Sequence, residues 1–288
     1  MLIAQPEAEY ELLDSGENEK LERYGSVVLS RPDPQALWRR SLPHAEWIKA
    51  SAKFERGSRD GYGAWKLGAE TPKRWNISYG GLKFVVKPSA FKHTGIFPEH
   101  APNWQWIREK ISEAGREVSV LNLFGYTGGA SLAAAQAGAK VCHVDGSKVA
   151  ITWARENAEL SGLAQKPIRW ILDDAHSFVK REIRRGNKYD AIIMDPPAFG
   201  HGPEGEVWKI EEDFLNFLEA CQAILSDKPL FMLVNGYSAG YSAVAYFNNL
   251  KKLQDKFGGV MESGELTIAE KTSGRLLPAG IFCRWSSK

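Results

Sequence analysis

The chain has 288 residues, 43% of them hydrophobic and 25% charged, with a net charge of +2, as is ordinary for a globular protein of one or two domains. No apolar stretch approaches the roughly 18 residues of a membrane-spanning helix, and the first residues lack the basic segment of a signal peptide. Three widely spaced cysteines without a C-x-x-C pair predict free thiols in a protein of the reducing cytoplasm.

The first hundred residues contain short apolar runs that are broken by turn residues. Runs at 26–29, 75–78 and 82–86 have the length and composition of strands. Turns between such runs are marked by glycines, at positions 61, 63, 68, 80 and 81. Residues 1–100 are therefore predicted to form a small β-rich domain.

Charge is distributed unevenly along this predicted domain. Residues 1–30 contain seven acidic and two basic residues, a net charge of −5, whereas residues 36–92 contain twelve basic and four acidic residues, a net charge of +8. The second stretch also contains four tryptophans, at positions 38, 47, 65 and 75. Basic residues interleaved with aromatics suit RNA, which offers phosphates to pair with and bases to stack on. A solvated face over the aromatics of a small β core explains the pattern equally well.

From about residue 100 the pattern changes to strands that alternate with helices. Continuous apolar runs predict strands at 118–123, 140–145, 168–172, 189–194 and 230–234. Helices are predicted at 129–137, 147–161, 175–184, 209–225 and 241–256, and a closing antiparallel hairpin at 259–268 and 280–285. Such alternation is typical of a parallel sheet with helices on both faces. Residues 101–288 are therefore predicted to form an α/β domain with a doubly wound, mostly parallel sheet of seven strands.

A glycine-containing loop follows the first of these strands, in the stretch VLNLFGYTGG. Gly125, Gly128 and Gly129 would let the backbone approach a ligand closely. Asp145 ends the next strand about twenty residues later, where a doubly wound sheet places an acid for a ribose diol. The loop lacks the G-x-G-x-x-G spacing that a dinucleotide pyrophosphate prefers. The alternative role for Asp145 is to cap the helix that follows it.

Acidic residues also end the next two strands of the predicted sheet. Asp173 and Asp174 follow one strand, and Asp195 follows the other. Because ligands of open α/β sheets bind at the carboxyl ends of the strands, these acids are expected in one crevice. Asp174 would accept from an adenine amino group, with the Ala175 amide beside the ring, or else cap its helix. An adenosine site without a phosphate clamp indicates S-adenosylmethionine as the cofactor.

The order of these motifs resembles class I S-adenosylmethionine-dependent methyltransferases. More narrowly, it is similar to the bacterial family that methylates large-subunit ribosomal RNA and includes cytosine-C5 and guanine-N7 enzymes. The segments YELLDSGENEKLERYG, RPDPQALW and HTGIFPEHAPNW resemble the leader of that family, although the N-terminal RNA-binding module of many members is not found. The resemblance implies a Rossmann-like fold, an RNA substrate and cofactor contacts from Thr94, Gly95, Phe97, Asn122, Phe124, Gly125, Tyr126, Gly128, Asp145, Ser147, Asp174, Ala175 and Asp195.

The sequence IIMDPPAF places a carboxylate and two prolines at the end of a buried strand. Prolines fix the backbone and leave carbonyls free to accept, so the turn is predicted to form a rigid lip beside the methyl donor. Asp195 and the Pro196 carbonyl are candidates to orient the acceptor, and Phe199 to stack on its base. Methyl transfer is an in-line displacement that depends mainly on positioning. The alternative is that the turn serves shape alone.

The same region bears on which atom receives the methyl group. Methyltransferases that act on amino groups usually place an aromatic residue directly after such a pair of prolines. Here Ala198 intervenes, so the resemblance makes methylation of an exocyclic amine less favoured. The cytosine-C5 relatives need a thiolate that attacks the ring, usually from the loop after the fifth strand of the sheet. That loop, predicted here at 233–239, has no cysteine. Guanine N7 needs none and is therefore favoured. The alternative functions are a methyltransferase with a small-molecule or protein acceptor, a nicotinamide dehydrogenase and a non-catalytic nucleic-acid binder. The six histidines do not have the spacing of metal ligands.

Overall fold

The computed structural model describes residues 1–57, 63–89, 92–237 and 240–287. It divides into two compact units. The larger comprises Met1, 103–265 and 280–288, and the smaller comprises 2–102 and 266–279. The predicted turn residue Gly61 lies outside the described residues. The domain boundary after residue 100 stays a prediction.

The smaller unit is rich in strands. Its five-stranded sheet follows the chain in the order β2 (Tyr10–Gly16), β3 (Glu19–Tyr24), β4 (Val27–Pro32), β5 (Ala52–Arg56) and β6 (Gly63–Leu67). The short helix α1 (His44–Trp47) lies between β4 and β5, and β7 (Trp75–Tyr79) pairs with β8 (Leu82–Val86). A buried carboxylate, Glu22, accepts hydrogen bonds from Tyr10, Tyr24 and Arg31, so the charge in this core is paired.

The remaining elements build a doubly wound sheet. Its strands are β1 (Leu2–Ala4), β9 (Ser119–Leu123), β10 (Lys140–Asp145), β11 (Ile168–Leu172), β12 (Ala191–Met194), β15 (Phe231–Gly236), β16 (Val260–Ala269) and β17 (Leu276–Ser286). Its helices are α2 (Ala101–Glu113), α3 (Gly129–Gln136), α4 (Lys148–Leu160), α5 (Ala175–Arg185), α6 (Ile210–Ala223) and α7 (Ala243–Phe257). The spatial order is β1-β16-β17-β15-β12-β9-β10-β11.

This order confirms the predicted fold class and adds one strand. Strands β9 to β12 and β15 run parallel, and β17 pairs antiparallel with β15. The eighth strand is β1, whose Leu2 pairs with Leu266 of β16. Three residues are too short a run to predict a strand, and only a partner strand far along the chain makes them one.

Two features of the larger unit position its chemistry. All four residues of β12 are buried, so the acid that follows the strand leaves a fully covered sheet. A two-stranded hairpin that the sequence did not predict, β13 (Phe199–His201) with β14 (Val207–Lys209), follows the proline turn. No helix in the described parts of the chain is long and apolar enough to cross a bilayer.

Candidate active site

The acids that the sequence singled out follow neighbouring strands of the sheet. Strand β9 pairs with β10 on one side and with β12 on the other, so the chain order reverses between β9 and β12. Such a reversal opens a crevice at the carboxyl ends of the strands. The loop 124–128 follows β9, Asp145 is the last residue of β10, and Asp174 and Asp195 come after β11 and β12. All of them therefore lie along this edge.

The carboxylate of Asp145 is held by backbone amides on both sides. Its Oδ2 accepts from the Tyr126 amide at 2.8 Å, and its Oδ1 accepts from the Ser147 amide at 2.8 Å. Burial raises the pKa of this carboxyl despite those hydrogen bonds. Each carboxylate oxygen can accept more than one hydrogen bond, so capacity remains for the hydroxyls of a ribose.

The loop 124–128 adopts an unusual backbone conformation. Phe124 and Tyr126 have φ angles of 56° and 47°, in the left-handed region that side chains other than glycine rarely occupy. Backbone strain of this kind concentrates at functional sites. The loop stays in place because Gly125 N donates to the Val144 carbonyl and Tyr126 N donates to Asp145.

The glycines of this loop meet close neighbours inside the protein, a role that the sequence did not indicate. A Cβ on Gly125 would lie 2.6 Å from Nδ1 of His143, and a Cβ on Gly129 would lie 2.5 Å from the ring of Trp104. Gly128, at the start of α3, has a φ of 93°. Packing within the unit therefore requires glycine at these positions, whatever the ligand.

A buried polar chain lies directly beneath the loop. Asn122 Nδ2 donates to Ser131 Oγ at 2.8 Å, and Ser131 Oγ lies 2.9 Å from His143 Nδ1. Asn122, a predicted cofactor contact, is 3% exposed, so its amide is used inside the unit. Burial lowers the pKa of His143 to about 3, so the ring is neutral at physiological pH.

The buried His143 should make stability fall in mild acid. The unfolded chain takes up a proton near the ordinary histidine pKa of about 6.5, whereas folded His143 takes one up only near pH 3. The contribution of His143 to the free energy of unfolding is fully present above the unfolded-state pKa of about 6.5. It decreases as the pH falls below that value, by about 2 kcal/mol between pH 7 and pH 5. Urea unfolding at both pH values should show a smaller decline for His143→Gln, while exposed His44→Gln should behave like wild type. Equal declines in all three proteins would contradict this assignment.

The predicted contacts that follow β10 and β11 all take part in helix starts. Ser147 caps α4 by accepting from the Ala150 amide, and Asp174 caps α5 by accepting from the Ser177 amide at 2.8 Å. Both caps leave acceptor capacity on the side-chain oxygens. Ala175 is the first residue of α5 and is buried. Capping and ligand binding are therefore compatible here.

The tip of the β13–β14 hairpin lies over this part of the sheet edge. A Cβ on Gly146 would lie 3.5 Å from the His201 carbonyl, and a Cβ on Gly202 would lie 3.0 Å from Cβ of Asp174. The hairpin therefore reaches from the proline turn after β12 to the residues that follow β10 and β11.

The proline turn combines exposed and buried groups. Asp195 is half-buried, Pro196 is buried, and Phe199 is 55% exposed with its ring edge against His201. The Pro197 carbonyl is not free, because it accepts from Trp208 Nε1 at 2.6 Å, whereas the role of the Pro196 carbonyl stays a prediction. Trp208 comes eleven residues later, and no local pattern marks it as a partner of the turn.

A second residue that the sequence did not single out is Tyr246 of α7. It is 3% exposed, and its hydroxyl has no hydrogen-bond partner among the described residues. A Cβ on Gly236, at the end of β15, would lie 2.5 Å from this hydroxyl. Burial and the charge of Asp195 raise the pKa of Tyr246 to about 12, so it is a neutral donor near the proline turn.

Neither the loop after β15 nor any of the three cysteines supplies a thiolate. Ser238 and Ala239 of that loop lie outside the described residues, and Asn235 accepts from Asn103 at 3.0 Å within the unit. The thiols of Cys142, Cys221 and Cys283 are free, as predicted, and they lie buried in β10, α6 and β17. Burial raises the pKa of all three thiols. None is therefore a ready nucleophile.

Three predicted cofactor contacts lie in the smaller unit. Thr94 is fully buried and its Oγ1 donates to the Tyr24 hydroxyl at 3.4 Å. Gly95 has a φ of 97°, and Phe97 packs edge-on against His93. Their assignment to the cofactor stays a prediction.

The basic stretch 36–92 is partly neutralised by the acidic first thirty residues. Arg40 pairs with Glu19 at 2.6 Å and with Glu17 at 3.5 Å, and its guanidinium lies 4.0 Å from the Trp47 ring centroid. Lys53 also pairs with Glu19, at 2.9 Å. The contrast in charge along the sequence thus becomes ion pairing within the smaller unit.

The four tryptophans of this stretch serve the small β-rich core. Each indole nitrogen donates to a group inside the unit, as Trp38 to Ser15, Trp47 to Asp14, Trp65 to Ser89 and Trp75 to Tyr24. This favours the structural explanation of the aromatics. The exposed basic side chains of this stretch include Arg39, Lys73 and Arg74, whereas Arg59 lies outside the described residues.

Comparisons with known proteins agree with this fold. The profile of the S-adenosylmethionine-dependent methyltransferase family matches residues 52–226. The chain belongs to this family. It is therefore a methyltransferase with S-adenosylmethionine as its cofactor, which removes the nicotinamide dehydrogenase alternative. No group of three or more potential metal ligands occurs in the described ranges.

Individual relatives support this membership. The crystal structure of an S-adenosylmethionine-dependent methyltransferase from Agrobacterium tumefaciens is 44% identical, with a TM-score of 0.94 over 100% of this chain and 93% of that one. The Ribosomal RNA large subunit methyltransferase K of Neisseria meningitidis is 25% identical over 76% of this chain and 63% of its own length. The Ribosomal RNA large subunit methyltransferase K/L of Shewanella baltica is 33% identical over 51% of this chain, which spans only 20% of that relative.

Proposed function

We propose that this methyltransferase acts on ribosomal RNA in the cytoplasm and methylates guanine at N7 without a covalent intermediate. The names of the two ribosomal RNA relatives support the substrate class. The observation that carries the choice of atom is the burial of all three thiols, in elements away from the proline turn. Attack on cytosine C5 needs a thiolate, whereas N7 of guanine has a free lone pair.

For the cofactor, we infer that Asp145 binds the ribose hydroxyls and that Asp174 and the Ala175 amide bind the adenine. The half-buried carboxylate of Asp145, beside a strained loop, has acceptor capacity to spare. The loop residues Phe124, Gly125, Tyr126 and Gly128 and the cap Ser147 would surround the nucleoside. Thr94, Gly95 and Phe97 would contact its methionine part. S-adenosylmethionine supplies an electrophilic methyl group on a sulfonium.

Cofactor affinity should depend on Asp145. Asp145→Ala removes a charged acceptor from two hydroxyls and should weaken S-adenosylmethionine binding by about 1–3 kcal/mol, as measured by calorimetry. Asp173→Ala is the control, because Asp173 is engaged by Arg181 and should affect affinity little. Unchanged affinity in a folded Asp145→Ala protein would rule out the ribose assignment.

At the acceptor end, Asp195 would act through its charge. Methylation at N7 removes no proton, so no general base is needed, and the guanine gains positive charge as the methyl group arrives. The carboxylate of Asp195 would stabilise that charge, and the exposed ring of Phe199 would stack on the base. The fixed backbone of Pro196 and Pro197 would keep the turn rigid, which matters because in-line displacement depends on alignment.

The test is methyl transfer to total RNA with S-adenosylmethionine labelled in the methyl group, using RNA from cells that lack this enzyme. We expect label in large-subunit ribosomal RNA, recovered as 7-methylguanosine after digestion to nucleosides. Label in 5-methylcytidine would contradict the proposed atom. Label absent from RNA but present in protein or in a small-molecule extract would contradict the substrate and favour the alternative acceptors.

For the RNA-facing surface, we propose the exposed basic side chains of the stretch 36–92. Reversing Arg39, Lys73 and Arg74 to Glu should weaken RNA binding and its salt dependence, because fewer counterions are released. Arg40 is kept, since its ion pairs support the fold. The matched control reverses three exposed lysines of α7, at 251, 252 and 256. Gel shifts at several salt concentrations that show equal loss for both triples would place the RNA elsewhere.

A further inference from the structure

Trp208 connects two parts of the site that are far apart in sequence. It is 7% exposed and lies on β14, opposite Gly200 of β13. Its indole Nε1 donates to the Pro197 carbonyl at 2.6 Å. Its ring centroid lies 5.3 Å from that of Phe124, the first residue of the loop after β9. One side chain therefore contacts both the proline turn and the loop.

The proline turn depends on such outside donors. Pro196 and Pro197 have no amide hydrogen, so the turn cannot be held by hydrogen bonds that they donate. The Pro197 carbonyl is held instead by Trp208, and the carbonyl of the next residue, Ala198, accepts from the Ile210 amide at 3.0 Å. Of these two bonds, only that of Trp208 comes from a side chain that also contacts the loop.

The contact between Trp208 and Phe124 is part of an aromatic cluster. Phe124 has a φ of 56° and is held by a cluster in which its ring, that of Trp208 and that of Phe217 pack on one another. The three centroids are 5.3 to 5.7 Å apart, the spacing of edge and tilted aromatic pairs. Trp208 is thus packed against a strained residue of the loop and bonded to the turn.

We propose that Trp208 is a positioning residue that sets the distance between the loop 124–128 and the proline turn 195–197, and so aligns methyl donor and acceptor. This rests on the proposed placement of cofactor and acceptor at those two segments, and it holds for any acceptor. In-line transfer loses much of its rate when reacting atoms are misplaced by about 1 Å. Trp208 touches neither reactant and acts through Pro197 and Phe124.

The test compares Trp208→Phe with Trp285→Phe. Trp285 is a matched control because it is fully buried and its Nε1 donates to the Gly258 carbonyl at 2.8 Å. The melting temperature should fall by a similar amount in both variants. Only Trp208→Phe should slow methyl transfer to RNA, by about tenfold or more at saturating cofactor and RNA, with the cofactor Kd within about threefold. A benzothienylalanine at 208 keeps the ring shape, removes the donor and should also slow transfer.

A second measurement needs no acceptor. Hydrogen exchange of amides in 198–209 should quicken in both position-208 variants and not in Trp285→Phe. Unchanged exchange and rate, or a rate loss equal to that of Trp285→Phe, would refute the role of Trp208. Wild-type protein that fails to methylate RNA, with exchange altered as expected, would instead refute the proposed substrate.

Discussion

Replacing Asp195 by asparagine should slow methyl transfer by about 100-fold or more and weaken cofactor affinity far less, because we propose that this carboxylate faces the positive charge that develops on the acceptor. The half-buried Asp195 follows a fully buried strand, so solvent screens its charge less than at an exposed site. Single-turnover methyl transfer to ribosomal RNA, with calorimetry for the cofactor, measures both quantities.

The matched control for this prediction lies at the other end of the same strand. Asp190 precedes β12 and pairs with Arg116 at 2.9 Å, and it accepts from the Ser119 amide at 2.8 Å. Asp190→Asn should therefore cost stability and leave the rate of methyl transfer intact. A folded Asp195→Asn protein with the wild-type rate would show that the turn serves shape alone.

Replacing Gly125 by alanine should destabilise the protein by about 2–3 kcal/mol, because the added methyl group overpacks a closed site. Its Cβ would lie 2.6 Å from His143 Nδ1 and 3.1 Å from Asn122 Nδ2. The ring of His143 is fully buried, so it cannot move away into solvent. Urea unfolding of the single variant measures the cost.

Two further variants decide whether that clash is the cause. His143→Ala removes the ring, so Gly125→Ala should cost much less in its presence, and the double-mutant cycle should show strong coupling. Gly146→Ala is the control, because its Cβ would meet nothing nearer than 3.5 Å. A cost for Gly125→Ala that is unchanged in the His143→Ala background would assign it to the backbone.

Elements with strong local patterns were predictable from the sequence. The strands Lys140–Asp145 and Ile168–Leu172 lie where their apolar runs predicted them. The helix caps Ser147 and Asp174 were also among the expected roles, since short polar side chains favour helix starts. These features depend on neighbours within a few residues, so the sequence carries their cause directly.

The acids of the candidate site were predictable for a related reason. Asp145 ends a strand, Asp174 and Asp195 follow one, and parallel strands bring their carboxyl ends to one edge. Their roles toward ligands stay predictions. The reasons for the glycines did not come from the sequence, because Gly125 and Gly129 are opposed by His143 and Trp104, which lie elsewhere along the chain.

By itself, the sequence determined the alternation of strands and helices, the parallel sheet and the acids at its edge, since periodicity and composition act locally. Only the tertiary structure decided which distant groups meet. It paired Arg40 with Glu17 and Glu19, which turned a contrast of charge into ion pairs. It also brought Trp208 onto Pro197 and Phe124 through a hairpin that no local pattern announces. Such pairings depend on the geometry of the folded chain, because the type of a donor or charged residue does not show which distant residue will lie beside it.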